Sequence, residues 1–300
     1  MVESKKILIA GGTGFIGKVL VQELQNAGHD VRVLSRSAKT SGSYFWNPST
    51  KEIDVTAFEG IQILLNLSGS GIADQRWTEE RKKDLYASRI GTNEFLFHQI
   101  GQMPELEQFI TASGINAYGF DETDVQHSEN DPFGTDFLSQ LVCDWEKSAD
   151  AFSVKCPVTK IRIAVVLGPE GGALKRMLPA IKMGIGSPLG TGKQFMPWIH
   201  AADLVGILVH AIDQKLNGAY NAVAQCDTNR EFMKALAKQL KKPFFFPAVP
   251  SFVLRALFGE MANVLLKGTS ASNEKIKSQG YTFKYPTIYS AFDDIFRSSK

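Results

Sequence analysis

Seven residues, Gly11-Gly12-Thr13-Gly14-Phe15-Ile16-Gly17, carry the clearest chemistry in the chain. They hold a G-x-x-G-x-x-G spacing with a further glycine at position 12. A compact apolar run, Lys6–Ala10, precedes them, and Ile16, Val19, Leu20 and Leu24 recur at helical spacing behind them. A glycine turn between a strand and a helix is the setting of a dinucleotide pyrophosphate cradle. Glycine lets the backbone turn sharply and lie close to the phosphates, and the free N–H groups of the helix start favour their charge. Gly17 permits close packing of helix on strand. A plain tight turn is the simpler reading of the glycines taken alone.

The choice of dinucleotide is made at the tip of the second strand. A carboxylate there accepts hydrogen bonds from a ribose 2′-hydroxyl, whereas an arginine meets a 2′-phosphate. Val31–Leu34 runs into Ser35-Arg36, with Lys39 close by, and no acid occurs between Val31 and Glu52. Guanidinium binds phosphate bidentately and a carboxylate would repel it. The expected cofactor is therefore NADP(H). The alternative for Arg36 is an exposed surface charge.

Other groups have chemistry open to them. Ser113, at the end of the strand Phe109–Ala112, can hydrogen-bond a substrate carbonyl or satisfy local backbone. Tyr118 is a replacement proton donor or an aromatic wall. His200, in Trp198-Ile199-His200, has a pKa suited to acid–base work, or is a buried histidine bonded to backbone. Asp203 is expected to cap the next helix, and Phe195 and Trp198 to wall a pocket or fill core. Cys143 has apolar helical neighbours and reads as core. Asp121, Glu122, Asp124, Glu129 and Asp131 lack ordered ligand spacing and read as a solvated loop, so no metal is expected. Lys175 and Arg176 suit a phosphorylated substrate or a solvent-facing helix.

The elements that must position these groups alternate. Ile61–Leu67 and Val158–Val166 read as further strands, and Gly28 ends the first helix. Thr78 caps a polar helix with Glu79 and Glu80 in its first turn. Strand–helix–strand repetition implies crossovers and a mostly parallel sheet. The expected fold is α/β, a Rossmann-type doubly wound sheet over residues 1–167, with 198–225 returning to it. Glycine and proline thicken beyond Leu167, and a smaller C-terminal α/β lobe is expected over 168–300. Arg230–Leu240 and Phe252–Leu266 read as its helices.

Whole-chain numbers narrow the class. The chain has 300 residues, 44% hydrophobic and 21% charged, with net charge +2 and scattered basic residues. Neither nucleic acid nor a membrane is expected as a partner. Cys143, Cys156 and Cys226 form no C-x-x-C pair, which argues against a disulfide scaffold or zinc ribbon and fits a reducing compartment. With no signal-like or bilayer-length apolar segment read from the chain, a cytoplasmic, soluble protein is expected, monomer or homodimer.

The glycine loop resembles the extended short-chain dehydrogenase/reductases, which include nucleotide-sugar epimerases. Further segments resemble its atypical epimerase-family proteins: Asn66-Leu67-Ser68-Gly69, Arg76-Trp77-Thr78-Glu79-Glu80-Arg81, Ser88-Arg89, Val165-Val166-Leu167-Gly168, Trp198-Ile199-His200 and Phe258-Gly259-Glu260-Met261. The resemblance runs nearly end to end. It implies that Ser35 and Arg36 hold the adenosine ribose and its phosphate, that Leu67 and Ser68 line the path to it, and that Arg89 contacts cofactor. Val166 would touch the nicotinamide end, and Asp84 stands where relatives often carry Glu. Leu67 and Val166 also suit core packing, and Asp84 and Arg89 suit solvated helix charges. Ser113 matches the catalytic serine position.

Active members of that wider family use a tyrosine with a lysine four residues on. The residues four beyond Tyr44, Tyr86, Tyr118, Tyr220, Tyr281, Tyr285 and Tyr289 are Pro48, Ile90, Glu122, Ala224, Tyr285, Tyr289 and Asp293. At the expected place stand Phe137 or Leu138 and Leu141 or Val142, which transfer no proton. Two functions follow: an NADP(H)-dependent oxidoreductase or epimerase-like enzyme on a small carbonyl or sugar substrate, or a non-catalytic NADP(H)-binding redox sensor or partner-binding module.

Overall fold

The structure, a computed structural model, describes residues 3–38, 42–120, 125–169 and 171–297. Lys39, Asp121, Glu122 and Asp124 lie outside the described residues. In the first half the strands are β1 (Lys6–Ala10), β2 (Asp30–Ser35), β3 (Ser43–Asn47), β4 (Glu52–Ile53), β5 (Ile63–Asn66) and β6 (Gln108–Gly114). Between them lie helices α1 (Phe15–Asn26), α2 (Glu79–Tyr86) and α3 (Thr92–Phe97). After β7 (Gln126–His127) and α4 (Phe137–Asp150) come β8 (Val158–Ile163), β9 (Val165–Leu167) and α5 (Leu174–Lys182). The remainder is β10 (Phe195–His200), α6 (Ala201–Asp213), β11 (Gly218–Ala222), β12 (Gln225–Thr228), α7 (Asn229–Gln239), α8 (Ser251–Phe258), α9 (Asn263–Leu266), β13 (Ser270–Ala271), α10 (Glu274–Ser278) and α11 (Ile288–Arg297).

The main sheet runs β11-β8-β6-β5-β1-β2-β3-β4, parallel throughout except where β4 turns back on β3. Its central strands are buried on both faces, as crossover helices require. Ile7 and Ile9 of β1 pack with Leu20 and Leu24 of α1 and Leu204 and Leu208 of α6. Leu8 and Ala10, on the opposite side of the pleat, pack with Leu64, Phe109, Leu96 and Phe152. The fold is the doubly wound α/β sheet that the alternation implied.

Three expectations need correction. Val158–Val166 is not one strand: it breaks at Ala164, and β9 leaves the main sheet to pair with β10. Phe252–Leu266 is not one helix: Gly259, at φ +62°, ends α8 before a 3-10 turn and α9. Asp203 is not a cap. His200 caps α6, its Nδ1 accepting from the Ala202 N–H at 3.1 Å. Asp203 is fully buried and accepts from the Tyr281 hydroxyl and from the Lys284 and Tyr285 amides, tying the C-terminal segment to the sheet domain.

From the returning segment, α6 packs on α1 and β11 closes the edge of the main sheet beside β8. β10 instead lies between β9 and β12 in a second, three-stranded sheet.

Candidate nucleotide-binding groove and substrate-side cluster

The first βα turn is shaped by overlaps that only glycine avoids. Gly11 has φ +84°, and a Cβ there would lie 2.7 Å from the Leu67 carbonyl carbon. A Cβ on Gly17 would overlap the Gly11 carbonyl oxygen, so helix and turn come together only without one. Gly14 is the N-cap of α1, leaving the first-turn amides of Phe15, Ile16 and Gly17 at the helix start.

A groove of about 740 Å³ opens over the C-terminal ends of β1, β2 and β5. Of the residues expected to hold cofactor, Gly11, Thr13, Gly14, Ser35, Arg36, Leu67, Ser68 and Asp84 line it. Gly12, Phe15, Ile16, Gly17, Arg89 and Val166 are not among its lining. Gly12 packs on Val33, and the Phe15 ring lies beneath Gly168 and Gly171. Val166 pairs with Ile199 in the second sheet.

Arg89 is a buried residue, not a solvated charge. Its guanidinium donates to the Ser70 carbonyl (2.8 Å), the Leu85 carbonyl (3.3 Å) and the Ser88 hydroxyl (3.1 Å), and lies over the Trp145 ring. Burial, with Arg81 nearby, lowers its pKa to about 10. It therefore shapes the loop after β5 from behind. Asp84 is exposed, 4.0 Å from Arg81. The sequence reading missed the far wall of the groove: Trp46 stacked on Phe95, the hairpin turn Asn47–Ser49 with Lys51, and His98.

The candidate chemical groups lie apart from this lining, and each is engaged. Ser113 Oγ donates to Glu146 Oε1 at 2.6 Å, a buried side-chain partner that neither of the two readings of this serine named. Arg162 grips both oxygens of Glu146 (2.8 and 2.9 Å) and donates to the Tyr118 hydroxyl at 2.9 Å. Tyr118 donates in turn to Asn221 Oδ1 at 2.7 Å. All five side chains are buried. Burial, only partly offset by Arg162, raises the tyrosine pKa to about 12. The same pair holds the Arg162 guanidinium firmly charged.

His200 bonds backbone through Nδ1, while Nε2 lies 3.4 Å from Asp294 and the ring packs on Tyr285. Burial pushes its pKa down against the pull of Asp294 and Asp203. Trp198 is fully buried and donates to Asp227. Leu138, Leu141 and Val142, where the tyrosine–lysine pair was expected, are buried, and Val142 packs against Gly114 at the end of β6.

Arg176 is tied to Asp74 at 2.6 Å and to the Ala73 carbonyl. Glu129 accepts from the Asn221 amide, and Asp131 is paired with His127 and Ser128. Among the described residues no group of three or more His, Cys, Asp or Glu is placed to hold a metal ion.

A glycine-turned helix start at a parallel strand end, beside a groove whose lining includes Arg36 and Lys51, defines a nucleotide-binding protein of the Rossmann class. Comparison with known proteins narrows it: residues 7–223 match the NAD dependent epimerase/dehydratase family, and the chain belongs to that family. Residues 249–295 match a domain of unknown function, DUF1731. The chain is 36% identical to the mouse epimerase family protein SDR39U1, over 97% of this chain and 99% of that one. It is 37% identical to the epimerase family protein Mb2239 of Mycobacterium bovis, over 94% of each. The crystal structure of human SDR39U1 with NADPH superposes with a TM-score of 0.86 at 33% identity, over 97% of this chain and 99% of that one.

Proposed function

We propose that this chain binds NADP(H), with the pyrophosphate on the Gly11–Gly17 turn and the 2′-phosphate on Arg36. The observation that carries the reading is the groove itself. Its lining brings Gly11, Thr13 and Gly14 together with Arg36 and Lys51. No Asp or Glu occurs between residues 31 and 51 to meet a free 2′-hydroxyl. The NADPH in the human relative's crystal supports the same choice. On this cofactor the reaction is hydride exchange between nicotinamide C4 and a small carbonyl or sugar-type substrate, with a proton source other than a tyrosine–lysine pair.

A second reading, a non-catalytic NADP(H)-responsive protein, is favoured by the engagement of Ser113, Tyr118 and His200 in buried contacts. Purified protein mixed with NADPH and a panel of aldehydes, quinones and keto-sugars separates the two. Oxidation of NADPH that depends on one carbonyl class supports the enzyme. Tight NADPH binding with no oxidation across the panel overturns the enzyme and leaves the sensor.

A further inference from the structure

The chain's small net charge conceals a segregation. Residues 171–200 and 232–259 contain nine Lys or Arg and no Asp or Glu, leaving 24 basic against 31 acidic residues elsewhere. These two segments thus carry nine positive charges on a molecule whose remaining residues are net negative. All nine side chains are exposed.

These two segments run side by side. The Val249 amide donates to the Pro188 carbonyl, the Gly190 amide to the Val249 carbonyl, and Gly184 faces the Pro243 ring. Several of their apolar side chains stand in solvent: Phe245 is 75% exposed, Phe252 72%, Met183 68% and Leu257 59%. Phe245 and Phe246 stack on each other rather than on the core. Helix α8 buries only Leu254. Folding leaves this surface uncovered, although large exposed apolar patches on soluble proteins mark interaction sites.

We propose that this face docks on an anionic phospholipid surface. Phe245, Phe246, Phe252 and Leu257 would enter the headgroup–acyl boundary, and Lys182, Lys241, Lys242 and Arg255 would meet lipid phosphates. Exposed phenyl and alkyl groups on segments rich in exposed cations fit that boundary. A partner recognised by hydrogen bonds would offer no site for so many side chains without a polar atom. No helix among the described residues is long and apolar enough to cross a membrane, so the contact is peripheral. The groove and its cofactor take no part.

The test sediments the full chain with vesicles of phosphatidylcholine alone and of phosphatidylcholine mixed with phosphatidylglycerol. The expected result is sedimentation with the anionic vesicles only, reduced at least about tenfold by Lys241→Glu/Lys242→Glu or by about 0.5 M salt. Phe245→Ser/Phe252→Ser should lower it comparably while leaving the thermal transition and NADPH binding unchanged. Absence from anionic vesicles, or binding indifferent to lipid charge, overturns the proposal. So does a dimer in sedimentation velocity that the phenylalanine variant dissolves, because this face would then be covered by a second copy.

Discussion

Arg36 and Lys51 show what single residues reveal and conceal. Arg36's place in the groove lining was legible from local position, at a strand tip beside the glycine loop with no acid in reach. Lys51 was not, because it reaches the same groove only through the β3–β4 hairpin, whose antiparallel return no local pattern announced. Being exposed, it adds a modest, screened attraction. Lys51→Ala is expected to weaken NADPH two- to fivefold, about the effect of one surface ion pair, and to leave NADH unchanged, as titration of intrinsic fluorescence would show. An equal loss for both coenzymes would place Lys51 outside the phosphate site. Arg89 teaches the opposite lesson: one charge on a polar helix looks solvated until tertiary packing lays Trp145 over it.

At the scale of elements, β1, β2, β5, β6, β8 and α1 were read from apolar runs and helical spacing, because burial on both sheet faces leaves that mark, whereas β3 and β11 at the sheet's flanks were not. The break between β8 and β9 was not, because both pieces are apolar and only their partners differ. One signal was available: Arg162, near the end of a mostly buried strand, demanded an acid, and Glu146 sits in the apolar register of α4. Their ion pair, with side chains 4% and 5% exposed, joins β8, α4 and, through Ser113, β6. Removing one partner of such a pair strands the other's charge, at a cost of about 3–5 kcal/mol. Glu146→Leu is therefore expected to lower the urea midpoint sharply. Ser113→Ala, which takes one hydrogen bond from the buried Glu146 carboxylate, should cost less, about 1.5–3 kcal/mol. A Glu146→Leu protein as stable as the parent would show that the cluster does not hold these elements together.

At the scale of the molecule, the sheet domain and the C-terminal segment meet at His200, Asp203 and Asp294. Distance in sequence hid that seam, since Asp203 bonds residues about eighty positions away. His200 is buried with its pKa below the ordinary value of about 6.5. The unfolded chain then takes up a proton that the folded chain resists, so stability is full above about pH 6.5 and falls as pH drops below it. His200→Asn, which keeps a cap for α6, should flatten the decline in Tm between neutral and acidic pH. An unchanged slope would assign the decline to other groups. The charge segregation of residues 171–200 and 232–259 was present in the sequence too, but a net charge of +2 averages it away.

The functional reading depends on one nucleotide in one groove, and calorimetry on the wild type and Arg36→Asp tests it most directly. The account predicts that the wild type binds NADPH more tightly than NADH. It also predicts that the substitution weakens NADPH at least about tenfold, or 1.4 kcal/mol, while NADH changes little. A folded wild type that gives no heat with NADPH, or a substitution that weakens both coenzymes alike, would contradict it.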